Sequence, residues 1–283
     1  MRFEYYRAKD LDDALRMLEN ENTRLIAGGT DLLVRIREHL ESPSLLVDIG
    51  DLDELAQIRE ENGFVEVGAA VTHAQSLDST LLREKAQLLV QGCSEIGSPQ
   101  IRSRGTIGGN LATASPAGDT IPPLYCLEAV LRLRSRRGER EVPIQEFFTG
   151  AKKSVLRSDE LLVAIRFPST KKAERVYFRK AGQRKSLAIA KVSVAACLEM
   201  AAGRVRKARI ALGAVAPTVV RAFQTEAFLQ GQRLSAKAIA KAVQLVKAES
   251  QAIDDIRSNA EYRKDMTGVL LGRGLSMIQD QSA

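Results

Sequence analysis

The chain has 283 residues, and 45% of them are hydrophobic, which is enough to build two or three packed domains. Its longest apolar stretches are far shorter than the roughly 20 residues that a membrane-spanning helix requires, so we expect no segment to cross a bilayer. The net charge of +7 arises from 42 basic and 35 acidic residues that are mostly dispersed and mixed in sign, which gives little support to a nucleic-acid-binding protein.

The N-terminal region predicts a small β-α-β unit. Asp10 and the apolar spacing that follows it are typical of a capped amphipathic helix. Residues 25–27 then predict a short buried strand, Gly28-Gly29 a tight turn, and Thr30 or Asp31 the cap of a second helix. A further strand is expected over residues 45–49, and it completes the unit.

A second lobe is expected to begin near residue 55, where the pattern changes. Residues 64–67 predict a strand, and the apolar residues between 77 and 90 predict helices. Residues 92–123 show little periodicity but are rich in Gly, Ser, Thr and Pro, so we expect a long, ordered and functional loop there. Two more strands are predicted, over residues 129–134 and 160–167.

The densest charge cluster begins in the strand predicted over residues 129–134 and continues beyond it. It consists of five arginines around Gly138, namely Arg132, Arg134, Arg136, Arg137 and Arg140. Because the alternation of apolar and charged residues predicts a β-hairpin, we expect these arginines to be solvated side chains of a turn.

The rest of the chain predicts a separate unit. The polar segment 169–174 is typical of a linker, so we expect a domain boundary at residue 174. Three strands followed by three helices are predicted beyond it: strands over 175–180, 189–199 and 205–215, and helices over 218–229, 236–250 and 259–278.

The cysteines and histidines form no recognisable catalytic or metal site. Cys93, Cys126 and Cys197 lie far apart and make no C-x-x-C pair, so we expect no metal bound by this chain. The number of cysteines is odd, and the charged and aromatic N-terminus does not resemble a secretion signal. Both observations indicate a reducing, cytoplasmic compartment. His39 and His73 are expected to be structural or solvated, because no triad or paired-histidine signature surrounds them.

Two glycine-rich loops carry the clearest chemical signal. Gly28-Gly29 and Gly108-Gly109 can each direct backbone N–H groups at a phosphate, and the first loop lies between a strand and a helix whose dipole attracts anions. Either loop alone could be only a tight turn, but two of them suit the two phosphates of a dinucleotide. Neither loop has the spacing of a Rossmann fingerprint or a P-loop, which disfavours nicotinamide dehydrogenases and kinases.

The sequences around these loops resemble one family closely. The segments LIAGGTDL (residues 25–32), IGSPQIRSRGTIGGNL (96–111) and ASPAGD (114–119) are similar to the FAD-binding medium subunit of molybdenum hydroxylases, the xanthine dehydrogenase and carbon monoxide dehydrogenase group. The similarity continues through residues 160–162, 180–191 and 211–217 and into the C-terminal region, so it covers nearly the whole chain.

The resemblance implies an α+β architecture with two domains. Residues 1–174 would form an FAD-binding domain of the vanillyl-alcohol oxidase type, with lobes at about 1–55 and 56–174. Residues 175–283 would form a C-terminal flavoprotein domain, with a three-stranded antiparallel sheet and a helical bundle.

The resemblance also implies which residues hold the cofactor. The two loops would wrap the pyrophosphate of FAD, Thr113 and Asp119 would bind its ribityl or sugar region, Leu161 and Leu162 would lie near its adenine or ring portion, and Lys180 would be directed at the flavin. From the residues alone, Asp119 could equally cap a turn, and Lys180 could be one more solvated lysine. The full set of expected FAD contacts is Leu25, Ile26, Ala27, Gly28, Gly29, Thr30, Asp31, Thr106, Ile107, Gly108, Gly109, Asn110, Thr113, Asp119, Leu161, Leu162 and Lys180.

The sequence departs from the family at a few positions. Relatives often carry asparagine where this chain has Ser103, and aspartate where it has Leu187 or Ala188. This chain also lacks the cysteine-rich insert that binds a [4Fe-4S] cluster in some relatives.

The function that the resemblance implies is electron relay. A large subunit with a molybdenum cofactor would oxidise the substrate, a small subunit would conduct electrons through [2Fe-2S] clusters, and this chain would deliver them from FAD to an acceptor such as NAD, oxygen or a quinone. No catalytic acid, base or nucleophile is expected on this chain. Two alternatives remain, a stand-alone flavin oxidoreductase of the same superfamily and a cofactor-free basic scaffold.

Overall fold

The computed structural model describes residues 3–184 and 187–281. Met1 and Arg2 of the charged N-terminus, Lys185 and Ser186 of the family-like stretch 180–191, and the last two residues therefore lie outside the described residues. None of the helices within the described ranges is both long enough and apolar enough to cross a membrane.

The first lobe is a three-stranded parallel sheet with two helices. Its strands pair in the order β1-β3-β2, and each helix connects two successive strands. Asp10 accepts a hydrogen bond from the backbone N–H of Asp13 at 2.7 Å and begins the first helix, as predicted. The predicted β-α-β unit is therefore confirmed. The elements are β1 (Glu4–Arg7), α1 (Leu11–Leu18), β2 (Thr23–Ile26), α2 (Leu32–Arg37) and β3 (Leu45–Asp48).

The second lobe is built on a five-stranded antiparallel sheet. Its strand order is β4-β5-β10-β6-β7, and a small two-stranded ribbon, β8-β9, lies beside it. The predicted strands at 64–67, 129–134 and 160–167 are present within one or two residues of the expected bounds. The strands are β4 (Ile58–Glu61), β5 (Phe64–Gly68), β6 (Val130–Ser135), β7 (Gly138–Pro143), β8 (Phe148–Gly150), β9 (Lys153–Ser154) and β10 (Leu161–Pro168).

The region predicted as a long loop, residues 92–123, is largely helical, so that expectation was wrong. Its helices have only six or seven residues, which is too short for an apolar periodicity to be visible. Local caps start two of them, because Ser98 and Thr106 each accept a backbone N–H three residues ahead. The helices of this lobe are α3 (His73–Asp78), α4 (Thr80–Lys85), α5 (Gln87–Ser94), α6 (Pro99–Arg104), α7 (Ile107–Thr113), α8 (Ile121–Cys126) and α9 (Ile144–Phe147).

The arginine cluster lies on the β6-β7 hairpin, as predicted, but its side chains are paired. Each of the five arginines contacts a carboxylate: Arg132 contacts Glu66, Arg134 Asp12, Arg136 Glu19, Arg137 Asp159 and Arg140 Glu160. Asp12 and Glu19 belong to α1 and the residue after it, so two of these pairs join the lobes. The turn arginines Arg136 and Arg137 are exposed, as expected, and their ion pairs are an addition that the sequence did not predict.

The C-terminal domain has an antiparallel sheet with helices on one side. The three predicted long strands are confirmed. A two-residue strand lies at the edge of the sheet, so the first helix begins at Phe223 rather than at the predicted residue 218. The second strand begins at Val192 rather than at 189. The elements are β11 (Glu174–Ala181), β12 (Val192–Ala201), β13 (Arg204–Gly213), β14 (Val220–Arg221), α10 (Phe223–Leu229), α11 (Ala236–Glu249) and α12 (Ala260–Asp280).

The hydrophobic cores connect these units. The largest core combines the second lobe with one face of the C-terminal sheet, including Phe178 and Ala195. A second core lies between the other face of that sheet and the three C-terminal helices. A third joins the first lobe to β10 through Leu161 and Val163. The predicted domain bounds stay predictions, and the largest core extends across residue 174.

Candidate functional site

A cavity of about 640 Å³ lies where the first lobe, the second lobe and the C-terminal domain meet. This volume is in the range of sites for cofactors and other small molecules. The loop after β2 forms one wall, residues 96–119 form the other, and residues 187–189 of the C-terminal domain border it.

The first glycine loop touches the backbone that leads into the second glycine pair, which lies in the first turn of α7. A Cβ atom built on Gly28 would lie 2.0 Å from the Arg104 carbonyl oxygen and 2.9 Å from the Gly105 Cα. Only glycine permits so close an approach of two backbones. Gly29 has a φ of +69°, a conformation that also favours glycine. The two loops therefore form one continuous cradle rather than two separate turns.

Backbone hydrogen bonds hold the second loop in place. The Gly105 carbonyl accepts from the His73 N–H at 3.0 Å, and the Ile107 and Gly108 N–H groups donate to Val71 at 3.0 Å and Ala69 at 2.9 Å. Gly108 also packs against Ala69, because a Cβ on Gly108 would lie 2.5 Å from the Ala69 Cβ. By contrast, a Cβ on Gly109 would meet Thr106 Oγ1 and no further atom outside its own helix in the described part of the chain, and Gly109 lines the cavity. The Gly109 N–H donates to Thr106 Oγ1 at 3.0 Å, so the N–H groups of Gly108 and Gly109 are both used within the protein and do not form the predicted phosphate nest.

Side chains add polar contacts between the loops. The Thr113 hydroxyl donates to Asp31 at 3.3 Å, which joins the end of α7 to the start of α2. Asp31 occupies the N-cap position of α2 without capping it by a side-chain bond. Asn110 accepts a hydrogen bond from the Thr120 hydroxyl at 2.7 Å through its Oδ1, so its amide N–H groups are the donors left for a ligand.

Asp119 provides a buried acceptor in the cavity wall. It is 7% exposed, its Oδ2 accepts from Lys180 Nζ at 2.5 Å, and its Oδ1 is buried without a hydrogen-bond partner. Burial raises the pKa of Asp119 to about 7, although the Lys180 ammonium acts in the opposite direction. A ligand with hydroxyl groups would supply the missing donor.

Most of the predicted site residues come together here. Those that line the cavity are Leu25, Ile26, Ala27, Gly28, Gly29, Thr30, Asp31, Thr106, Gly109, Asn110, Thr113 and Asp119. Ile107 and Gly108 belong to the second loop but are buried and lie outside the cavity lining.

Three predicted residues lie elsewhere. Leu161 and Leu162 are 1% and 5% exposed and pack into the cores on the two sides of β10, outside the cavity lining. They face opposite cores because successive side chains of a strand point in opposite directions. Lys180 lies behind the cavity wall and contacts Asp119, rather than lining the cavity itself.

Several lining residues were missed as site residues. His73 is 3% exposed and lies behind Gly105, and burial together with Arg102 lowers its pKa to about 4. Lys152 reaches the cavity from the β8-β9 turn, where its N–H donates to Ala114 at 2.9 Å. Leu187 and Ile189 come from the other domain, so no local pattern could have assigned them to the loops.

Comparisons with known proteins agree with this architecture. Residues 1–170 match the model of the FAD binding domain in molybdopterin dehydrogenase, and residues 177–278 match that of the CO dehydrogenase flavoprotein C-terminal domain. The carbon monoxide dehydrogenase medium chain of Afipia carboxidovorans is 35% identical over 275 residues, which cover 96% of this chain and 95% of that protein. The xanthine dehydrogenase FAD-binding subunit of Escherichia coli O157:H7 is 32% identical, with coverage of 92% and 90%.

Solved structures of two oxidoreductases have the same fold as this chain. Carbon monoxide dehydrogenase from Hydrogenophaga pseudoflava superimposes with a TM-score of 0.95 at 31% identity, covering 100% of this chain and 99% of that one. Quinoline 2-oxidoreductase from Pseudomonas putida 86 superimposes with the same TM-score at 29% identity, covering 100% and 98% of the two chains. The chain therefore belongs to the FAD-binding medium-subunit family of molybdenum hydroxylases, the oxidoreductase family of carbon monoxide dehydrogenase and xanthine dehydrogenase.

Proposed function

We propose that this chain holds FAD in the cavity between its lobes and acts as the electron outlet of a molybdenum hydroxylase complex. Electrons would come from [2Fe-2S] clusters of a small partner subunit, which would receive them from a large subunit with a molybdenum cofactor. They would leave through FAD to an acceptor such as NAD. We expect this assembly to work in the cytoplasm.

The observation that carries the proposal is the contact between Gly28 and the Arg104-Gly105 backbone. It joins two loops from two lobes into one cradle, which matches the two adjacent phosphates of a dinucleotide. The buried Oδ1 of Asp119 without a partner supports the same ligand, because FAD has ribityl and ribose hydroxyls that can donate to it. The residues present therefore fit FAD.

The chain's own residues would bind and orient the cofactor. Backbone N–H groups of residues 27–30 and of Thr106 would bind the pyrophosphate, and Asn110 would add its side-chain amide donors. The backbone N–H groups of residues 107–110 already donate within the protein. Thr113 and Asp119 would bind hydroxyl groups, and Ile107 and Gly108 would anchor the second loop through their hydrogen bonds to Val71 and Ala69. Bound FAD would supply the reversible uptake and release of electrons that the relay needs.

The names of the relatives favour relay over substrate oxidation by this chain alone. The relatives that match over nearly the full length are named as medium chains or FAD-binding subunits.

The experiment has two parts. The purified chain should be yellow and should release FAD on denaturation, and a chain that cannot take up FAD would contradict the proposal. Co-expression with a molybdenum-cofactor subunit and a [2Fe-2S] subunit from the same organism should then yield a complex whose FAD is reduced by the complex's substrate only when the [2Fe-2S] subunit is present. Reduction by a small substrate without any partner would favour the alternative, a stand-alone FAD-dependent oxidoreductase. Adding NAD, oxygen or a quinone to the reduced complex identifies the acceptor.

A further inference from the structure

Lys180 connects three segments around the cavity. Its Nζ donates to Asp119 Oδ2 at 2.5 Å, to the Glu95 carbonyl at 2.7 Å and to the Ala188 carbonyl at 2.9 Å. An ammonium group has three N–H donors, so these contacts use all of them. The side chain is 7% exposed, and the charge therefore depends on these three acceptors rather than on solvent.

The three acceptors belong to two domains. Glu95 follows α5 and Asp119 precedes α8, both in the second lobe, whereas Ala188 lies between β11 and β12 of the C-terminal domain. Residues 187–189 border the cavity that the first glycine loop also lines. The position of this border therefore depends on an ammonium group that is held at the cavity wall.

Within the described residues, the other hydrogen bonds of residues 187–189 are local. The Leu187 carbonyl accepts from Arg184 at 3.0 Å, and the Leu187 and Ile189 side chains are 48% and 65% exposed. Among the hydrogen bonds of the described residues, those of Lys180 are the ones that link this segment to Asp119.

The two oxygens of Asp119 have different surroundings. Oδ2 faces Lys180, whereas Oδ1 is buried, without a partner, in a residue that lines the cavity. A ligand hydroxyl that donates to Oδ1 would favour the charged, fixed carboxylate and so strengthen its bond to Lys180. Lys180 would pass that constraint to Ala188.

We propose that Lys180 is a positioning residue that couples the binding of FAD at Asp119 to the ordering of residues 187–189. FAD binding and the ordering of this segment would then stabilise each other. This proposal rests on the proposed function. Coupling of this kind is reciprocal, so anything that holds residues 187–189 in place must also tighten FAD binding by the same factor. A purely structural ion pair would stabilise the fold without making the two events depend on each other.

The test measures amide hydrogen exchange in peptides that cover residues 187–191, with and without saturating FAD, in the full chain. In the natural chain, FAD should slow exchange there by about tenfold, a coupling of ordinary size between contacting groups. In Lys180→Met, at FAD concentrations that still saturate the site, the effect should fall below about twofold, and the Kd for FAD should rise by about tenfold.

Two controls separate the possible failures. Lys191→Met removes a neighbouring lysine whose Nζ lies over the Tyr262 ring, and it should keep the full effect of FAD on exchange. Peptides from α11 should exchange equally in all variants, which shows that the fold is intact. If Lys180→Met does not fold, Asp119→Asn tests the same bond from its other end and should also abolish the effect.

The outcomes are distinct. A chain that binds no FAD contradicts the proposed function itself. A chain that binds FAD but shows no slowing at residues 187–191, or equal slowing in the natural chain and the Lys180 or Asp119 variant, overturns the coupling and leaves the FAD site standing.

Discussion

Gly28 lies against the backbone of Arg104, although 76 positions separate the two residues in the sequence, so that a Cβ on Gly28 would fall 2.0 Å from the Arg104 carbonyl oxygen. A side chain at residue 28 must push the first loop away from the second. Since each loop is fixed to its own lobe by backbone hydrogen bonds, neither can retreat without opening the cradle.

Gly28→Ala should therefore abolish or strongly weaken FAD binding while the rest of the fold persists. Overpacking of this kind costs about 1–3 kcal/mol, which corresponds to a rise of roughly tenfold to a hundredfold in Kd if it falls on the bound state. Flavin fluorescence quenching measures the Kd. Gly150→Ala is the matched control, because its Cβ would meet only Lys153 side-chain atoms at 3.8 and 4.0 Å. Equal affinity in both variants would contradict the cradle.

The affinity for FAD should increase as the pH rises through neutrality. Asp119 has a pKa near 7 in the free protein because burial disfavours its charged form, whereas hydroxyl donors on FAD favour the carboxylate. Binding below that pH must then release a proton, so Kd should fall by up to about tenfold per pH unit between pH 5 and 7 and level off above pH 8. Asp119→Asn should bind more weakly and lose this slope; a slope that persists in the variant would assign it to another group.

The sequence predicted the parts of this site that depend on local chemistry. The strand, glycine turn and helix around Gly28 follow from residues adjacent in the chain, and the family-like motif identified the second loop. The caps at Ser98 and Thr106 are local features too, but the helices that they start are too short to show an apolar periodicity, so the composition of the region predicts a loop instead.

The contacts between distant residues could not be predicted in this way. Nothing local pairs Lys180 with Asp119, 61 residues away, or places Leu187 and Ile189 beside the loops. The resemblance to the family implies that Leu161 and Leu162 contact FAD, but both side chains are buried in hydrophobic cores. Because successive side chains of a strand point in opposite directions, the two leucines pack into different cores. Such contacts depend on how the lobes and domains pack.

Stability should decrease in mild acid because of His73. Its pKa is about 4 in the folded protein, where it is buried near Arg102, against 6.5 in an unfolded chain. The unfolded state thus binds the proton more tightly, so the stability contribution is full above pH 6.5 and is lost as the pH falls toward 4. Between pH 7.5 and 5 this loss amounts to about 2 kcal/mol.

Urea unfolding at the two pH values measures this difference. His73→Gln should lose less stability than the natural protein between pH 7.5 and 5, whereas His39→Gln, at an exposed position, should behave like the natural protein. If His73→Gln shows the same acid sensitivity as the natural protein, the pH dependence belongs to other groups.

The ion pair of Arg209 should stabilise the junction at the predicted domain boundary. Arg209 on β13 contacts Glu174, the first residue of β11, and both side chains are nearly buried, at 8% and 7% exposure. Arg209→Met leaves the Glu174 carboxylate buried without its cation, which costs about 3 kcal/mol in comparable sites. Arg209 contacts Glu128 as well, at 3.3 Å. Lys207→Met is the matched control two residues away, because Lys207 contacts the same Glu128 at 2.8 Å but is 48% exposed. Its loss should cost less than about 1 kcal/mol.

Urea unfolding followed by both circular dichroism and flavin fluorescence tests whether this junction also joins the two domains. Since one core extends from the second lobe into the C-terminal sheet, Arg209→Met should lower the urea concentration at the midpoint of both transitions by the same amount. If the C-terminal domain unfolded separately in Arg209→Met while FAD stayed bound, the shared core would not join the domains into one cooperative unit.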